Sequence, residues 1–387
     1  MTKLDEHRQE RNMGKMMTYQ LSEIEKSNIR IWGRHSGKLD PLALFWTGSG
    51  IEVNVQASEL WVDIETDYDC HEQWMSVLVN GAHVSRQMLP KGRGEICLFR
   101  NMNPQEVKNI RLMKDVQAMS DDDGACFLIH GICTDGSFHP VKERRYKLEF
   151  IGDSITSGEG TIGAKKEWDW ISMFFSSVHD YATLVSDACD AECHIISQSG
   201  WGTLTGWDND PRHALPLYYE KVCGVLKGAR NGALGAGADY DFSAWQPDAV
   251  IINLGTNDMS AFEQPEWREG ENGRTFKQHK NEDGSFVKED AQRFEQAVVD
   301  FLGKLRKYNP GARLVWTYGM IGSPMMKLIE HALHTYCAQT GDTNAAFVLL
   351  PDTTAETVGS REHPGKKSHE AAAQVLTNYL KAYFEAK

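Results

Sequence analysis

Residues 148–154 read Leu148-Glu149-Phe150-Ile151-Gly152-Asp153-Ser154, and the fold is decided here. A short, mostly apolar run that stops at a glycine and two small polar side chains reads as a buried strand ending in a turn. The pattern recurs along the chain, with residues 193–196, 249–254, 313–317 and 345–350 also reading as buried strands. Helical spacing lies between them. Phe294, Ala297, Val298, Phe301, Leu302 and Leu305 recur at three- and four-residue steps, predicting a helix from about 291 to 307 that Asn309-Pro310-Gly311 ends. A last helix is expected from about 368 to 384. Strands alternating with helices imply a mainly parallel sheet with helices on both faces, an α/β domain.

Before Pro140 the rhythm differs. Ile51, Val53 and Val55 alternate with Glu52, Asn54 and Gln56, and Leu60, Val62 and Ile64 alternate with Trp61, Asp63 and Glu65. Period two predicts strands with one buried face. Asn80-Gly81 between Val77-Leu78-Val79 and Ala82-His83-Val84 is a two-residue hairpin signal, because both turn positions want positive φ. Short strand-like runs without helices between them fit a jelly-roll-like β-sandwich. The expected division is therefore a polar arm or helix over 1–28, a β-sandwich over 29–143, and the α/β domain over 144–387. Residues 224–237 and 263–289 lack periodicity and read as long loops, candidates for a rim over a site.

Composition excludes several classes. At ~150 residues per domain, 387 residues agree with two or three domains. With 54 acidic against 41 basic residues the net charge is −13, which argues against nucleic acid and anionic membrane surfaces as partners. No apolar run approaches the roughly 20 residues that cross a bilayer. The first residues carry charges where a signal peptide has its apolar core, so a cytoplasmic location is expected. Eight cysteines are too sparse for a disulfide scaffold. Cys189-x3-Cys193-His194 lacks a second ligand pair at zinc spacing, Asp121-Asp122-Asp123-Gly124 lacks the glutamate of a calcium loop, and 224–237 lacks the Lys-Ser/Thr ending of a phosphate loop. No metal or cofactor is expected.

The strand ends hold the chemistry, since ligands gather at the carboxyl ends of strands in open parallel sheets. Gly152-Asp153-Ser154 presents a hydroxyl. Ser197-Gln198-Ser199-Gly200-Trp201-Gly202 supplies glycines whose backbone N–H groups can approach a ligand closely. Asn253-Leu254-Gly255-Thr256-Asn257-Asp258 offers an amide suited to an oxyanion. Glu362-His363-Pro364 offers a base held extended by the proline. Singly, each block reads as a turn or a helix cap. Together, at strand ends in chain order, they match the parts of an acyl-transfer site.

In these four blocks residues 146–387 resemble the SGNH (GDSL-like) hydrolases. The resemblance implies Ser154 as nucleophile, His363 as general base, and the Ser154 N–H, the Gly200 N–H and the Asn257 side chain as oxyanion donors, with Gly202 as a substitute for Gly200. The preceding β-sandwich, Trp46-Thr47-Gly48-Ser49-Gly50 and Arg144-Arg145 make the chain look like carbohydrate esterase family two. That likeness implies removal of O-acetyl groups from plant oligosaccharides of xylan or mannan type, through an acetyl-enzyme and with no cofactor. Trp201 and Trp316, and also Trp207, are candidates for stacking on sugar rings. The alternatives are an SGNH lipase or thioesterase, or a carbohydrate-binding protein with a relict hydrolase domain. SGNH enzymes usually carry an Asp three residues before the catalytic His; here Ser360 stands there. The expectation is a Ser–His dyad, with a backbone carbonyl from 358–361 accepting the Nδ1–H. Asp352, Glu356 and Glu362 are the rival acceptors.

Overall fold

The computed structural model describes residues 15–386. Two antiparallel sheets form the N-terminal part. One has the spatial order Met17–Tyr19, Cys126–Thr134, Leu60–Asp67, Gly92–Phe99, with Leu42–Ala43 also on Cys126–Thr134. The other runs Ser137–His139, Gly50–Gln56, Val107–Lys114, Trp74–Val79, Ala82–Met88, with Ile29–Trp32 also on Gly50–Gln56. Along Leu60–Asp67 burial alternates residue by residue, as period two requires. Val53, Val77 and Leu112 of one sheet share a core with Val62, Ile64 and Ile129 of the other. Each buried aliphatic side chain there stabilises the sandwich by about 1.5–3 kcal/mol. The hairpin forms where expected: Val79 pairs with Ala82, and Asn80 and Gly81 have φ of 51° and 80°.

The expected arm or helix over 1–28 is corrected from residue 17 onward. Met17–Tyr19 is a strand and Leu21 lies in the sandwich core, so this segment belongs to the sandwich. Its few apolar residues are too sparse to show a period, but Gly131 leaves room for it, since a Cβ there would sit 2.6 Å from the Tyr19 carbonyl oxygen. Residues 1–14 of the expected arm lie outside the described residues.

The C-terminal part contains β1 (Tyr146–Gly152), β2 (Ala191–Ser197), β3 (Ala249–Asn253), β4 (Arg313–Gly319) and β5 (Ala345–Leu350). They form one parallel sheet in the order β2-β1-β3-β4-β5. In β3, Ala249 and Ile251 share a core with Tyr181, Val185, Leu376 and Leu380. Val250 and Ile252 pack with Phe294, Val298, Ile329 and Tyr336 on the other face. Helices Tyr181–Ala188 and Lys366–Glu385 thus cover one side, and Lys288–Tyr308 and Met326–Thr340 the other. The chain steps from β1 to β2 on one side, then returns to β3 on the other. The carboxyl ends of β1 and β3 therefore flank the switch point where doubly wound sheets bind ligands.

The stretch 224–237 is corrected from a loop over a site to a strap on the sandwich. It holds the helix Ala229–Leu234, Asn231 donates to the Ala125 carbonyl at 2.8 Å, and Arg230 pairs with Glu65. Gly228 is needed because a Cβ would meet the Asp123 carbonyl oxygen at 2.0 Å. The stretch 263–289 carries a small two-stranded ladder, Trp267–Arg268 with Thr275–Phe276. It is tied down at Asn209, which accepts the Gln278 N–H at 3.0 Å.

Candidate active site

β1 delivers Ser154 through a turn that only glycine permits. A Cβ at Gly152 would lie 2.0 Å from Thr156 Oγ1 and 2.9 Å from the Asn253 carbonyl oxygen. Asp153 caps the turn, accepting the Ile155 N–H at 3.0 Å. Ser154 is the first residue of a one-turn helix, so its N–H is an orphan donor of a helix start.

His363 Nε2 lies 3.0 Å from Ser154 Oγ, and His363 Nδ1 lies 2.9 Å from the Arg361 carbonyl oxygen. A carbonyl only accepts, so Nδ1 carries the proton and Nε2 offers its lone pair to the serine hydroxyl. The turn before the histidine makes this contact: Arg361 and Glu362 have φ of 53° and 58°, folding the carbonyl back under the ring. The loops of serine and histidine are joined, with the Ser360 N–H donating to the Gly160 carbonyl at 3.1 Å and the Arg361 N–H to that of Glu167 at 2.9 Å. Asp352, Glu356 and Glu362 are exposed, and none bonds to His363. Asp352 instead accepts the Gly322 N–H at 3.0 Å.

Beyond β2, Gly200 adopts φ of 80°, and among the described residues its N–H has no acceptor. The Gly202 N–H donates to the His213 carbonyl at 3.1 Å, which leaves Gly200 as the available donor of the two. Asn257, beyond β3, donates from Nδ2 to Asp153 Oδ2 at 3.1 Å and to the Trp201 carbonyl at 2.9 Å. It thus stands between the neighbours of Ser154 and Gly200. Burial pushes the Asp153 carboxyl up to about 7, with the charges of Asp258 and Glu159 adding to the shift.

Three residues that sequence reasoning missed, together with the side chain of Arg361, complete the site. Asp258 accepts the N–H groups of Thr203, Leu204 and Thr205 at 2.8, 2.7 and 3.2 Å, fixing the glycine loop to β3; burial pushes it up to about 6. Gln117, from the sandwich, accepts the Ser199 N–H at 2.7 Å. Glu159 places Oε1 3.5 Å from His363 Nε2 and 3.3 Å from Arg361 Nε, while its Oε2 accepts the Ser199 hydroxyl at 2.6 Å. Arg361 also donates to the Trp168 carbonyl at 3.0 Å. A signal existed for Asp258 in its adjacency to Asn257, and for Glu159 in its place between two glycines just past Ser154.

Two expected sugar platforms are corrected. Trp316 is 0% exposed, its Nε1–H donating to the Leu254 carbonyl at 3.2 Å and its ring meeting the Phe301 ring edge-on. It sits in a strand whose two faces are both covered. Trp201 is 4% exposed and stacks against His213 with centroids 5.1 Å apart. Trp207 is 49% exposed and lies beside Gly200, where an added Cβ would come within 2.9 Å of its ring. Among the described residues, Asp208, Asp210 and His213 bring possible metal-ligand atoms within 4.8 Å of one another. Arg212 already holds Asp210 through both carboxylate oxygens, at 2.9 and 2.6 Å.

Residues 150–369 match the GDSL-like Lipase/Acylhydrolase family. The chain is similar to the solved acetyl xylan esterase Est2A from the rumen bacterium Butyrivibrio proteoclasticus, with 46% identity, a TM-score of 0.94, and coverage of 96% of this chain and 99% of that one. A family two carbohydrate esterase from Clostridium thermocellum, solved with cellohexaose, shares the fold at 23% identity and a TM-score of 0.76, covering 92% and 99% of the two chains. Among curated proteins, the chain is 25% identical to Cellulase/esterase CelE of Acetivibrio thermocellus over 87% of its own length, and spans 37% of that protein. It is 23% identical to an acetylxylan esterase / glucomannan deacetylase of Cellvibrio japonicus, covering 92% of this chain and 88% of that protein.

Proposed function

The chain belongs to the GDSL-like lipase/acylhydrolase (SGNH) family, and from that membership we propose that it is a serine esterase removing O-acetyl groups from xylan- or mannan-type oligosaccharides. It is a carboxylic ester hydrolase, and its structural neighbours are family two carbohydrate esterases. The observation that carries the reading is Ser154 Oγ at 3.0 Å from His363 Nε2, with Nδ1 held by a carbonyl.

In the proposed mechanism Ser154 Oγ bonds to the acetyl carbonyl carbon as its proton passes to His363 Nε2. The oxyanion is met by the Ser154 and Gly200 N–H groups and by the Asn257 amide. Collapse breaks the bond to the sugar oxygen, which takes the proton from Nε2 and leaves as a hydroxyl. Water then adds to the acetyl-enzyme, again giving its proton to Nε2, and acetate leaves as Ser154 recovers its hydrogen. Throughout, the Arg361 carbonyl keeps Nδ1 protonated, so Nε2 is always the working nitrogen.

The substrate class is supported by the activities for which the similar proteins are named and by the open indole of Trp207 beside Gly200, a face suited to the apolar side of a pyranose. The test is acetate release from acetylated xylo-, manno- and cello-oligosaccharides, set beside hydrolysis of acetyl and octanoyl esters of one alcohol. Rapid acetate release with acetyl preferred is expected. Preference for octanoyl would mean a lipase-type enzyme, and inertness on all of them would mean a carbohydrate-binding protein.

A further inference from the structure

Glu159 is a carboxylate within reach of the reacting atoms that the mechanism above leaves unused. It is 3% exposed, and three side chains converge on it: His363 and Arg361 at Oε1, Ser199 at Oε2. Its backbone is fixed as well, the Glu159 N–H donating to the Ser154 carbonyl at 3.0 Å between Gly158 and Gly160, both at positive φ. Each carboxylate oxygen therefore has a fixed direction before any substrate arrives.

We propose that Glu159 supplies the negative charge that stabilises protonated His363, acting from the Nε2 side, with Arg361 as the positioning residue that holds it there. This rests on the serine-esterase reading. In the resting site the Nε2 lone pair faces Ser154 Oγ, and a carboxylate oxygen 3.5 Å away gains nothing from it. Once Nε2 has taken the serine proton, the imidazolium faces that oxygen with opposite charge. The interaction is therefore made when charge develops, not when substrate binds, and such interactions raise turnover. The Arg361 backbone carbonyl sets the tautomer, a role that carries no full charge; the Arg361 side chain orients the carboxylate that provides it. What a triad aspartate does with one group is here divided between two.

The rival account makes Glu159 a bracket joining the Arg361 and Ser199 loops. The two accounts rank substitutions oppositely. Glu159→Gln keeps the length and a hydrogen-bond acceptor but removes the charge; Glu159→Asp keeps the charge and retreats by one methylene. The expected result is that E159Q loses roughly 10- to 100-fold in kcat with KM within about threefold, well short of the ~10⁴ that follows loss of the tautomer in a serine triad. E159D should retain more kcat than E159Q. Comparable melting temperatures would show that both variants fold. E159Q ranking above E159D, or keeping more than half of the wild-type kcat, overturns the proposal. Should E159Q fail to fold, E159D carries the test: kcat within about tenfold of wild type is expected, and a loss on the order of 10³-fold in a folded protein overturns it. A wild-type protein inert on acetyl esters would overturn the esterase reading and this proposal with it. An active wild type with the reversed ranking overturns this proposal alone.

Discussion

Ser154 and His363 meet at 3.0 Å across 209 residues of sequence, each held in place by its own turn. We expect Ser154→Ala and His363→Ala to abolish esterase activity. Because Nδ1 is bonded to a main-chain oxygen, Asp352→Ala, Glu356→Ala, Ser360→Ala and Glu362→Ala should each keep most of it, and a loss of 10³-fold in any one of them would identify a third triad member. Asn257→Ala should lower kcat by ~10²–10³ with KM little changed, the usual cost of one oxyanion donor, as steady-state kinetics would show. The four blocks were legible because each follows a strand and each residue type has one obvious chemical use. Glu159, Gln117, Asp258 and the side chain of Arg361 were not, because their roles depend on which loop they face once the chain has folded. The tryptophans failed for a related reason: residue type tells nothing of depth, and Trp316 lies under a helix layer while Trp207 stands open.

Among the elements, the turn before His363 and the turn before Ser154 carry opposite kinds of stress. Arg361 and Glu362 both sit in the left-handed region, which costs an ordinary side chain roughly 1–2 kcal/mol. Arg361 offsets this with its contacts to Glu159, Glu167 and Trp168, whereas Glu362 is exposed and its side chain accepts no hydrogen bond among the described residues. Glu362→Gly should therefore leave activity intact and raise stability by up to about 1 kcal/mol in urea unfolding, the gain reduced by the greater freedom of glycine in the unfolded chain. At the other turn the stress is electrostatic. Burial raises Asp153 to about 7 from an ordinary 3.8, so the folded chain holds a proton there that the unfolded chain gives up near pH 4. Its stabilising effect is fully present below pH 4 and is lost as pH rises through about 7. The melting temperature of wild type minus that of Asp153→Asn should accordingly fall between pH 4 and 7; a constant difference would refute the shift. The strands and the two long helices were readable because their periods run over enough residues. Helix Tyr181–Ala188 was too short to show one, and in Met326–Thr340 the buried series Ile329, Ala332, Leu333, Tyr336 is interleaved with histidines and a cysteine that blur it.

In the whole molecule the sandwich is built into the catalytic part rather than tethered to it. No period or motif announces this, because each contact joins residues far apart in sequence. Asp115, just past a sandwich strand, accepts the N–H and hydroxyl of Ser177 at 3.0 and 2.8 Å, and Gln117 holds Ser199 beside the expected oxyanion glycine. Deepest is Arg34, whose guanidinium meets Glu149 at 2.8 Å with side chains 0% and 2% exposed, and lies over the rings of Tyr219, Tyr240 and Phe242 at 4.6, 4.2 and 4.9 Å. Tyr219 completes the pair, its hydroxyl donating to the other Glu149 oxygen at 2.6 Å. Glu149 belongs to β1, the strand that leads to Ser154, so a residue of the sandwich grips the strand beneath the candidate site. Removing either partner strands a buried charge, which typically costs about 3–5 kcal/mol, whereas replacing both with neutral groups of similar size is often far less costly. Arg34→Met and Glu149→Gln should each destabilise by that amount, and the double substitution should be less destabilised than the sum of the two. Each single variant should also lose kcat more than it raises KM, because the strand under Ser154 and the loop on Gln117 loosen together. The measurement is urea unfolding followed by tryptophan fluorescence and circular dichroism, with acetate-release kinetics on the same samples. Additive losses, or full activity in a destabilised Arg34→Met, would mean that the interface only glues two independent parts.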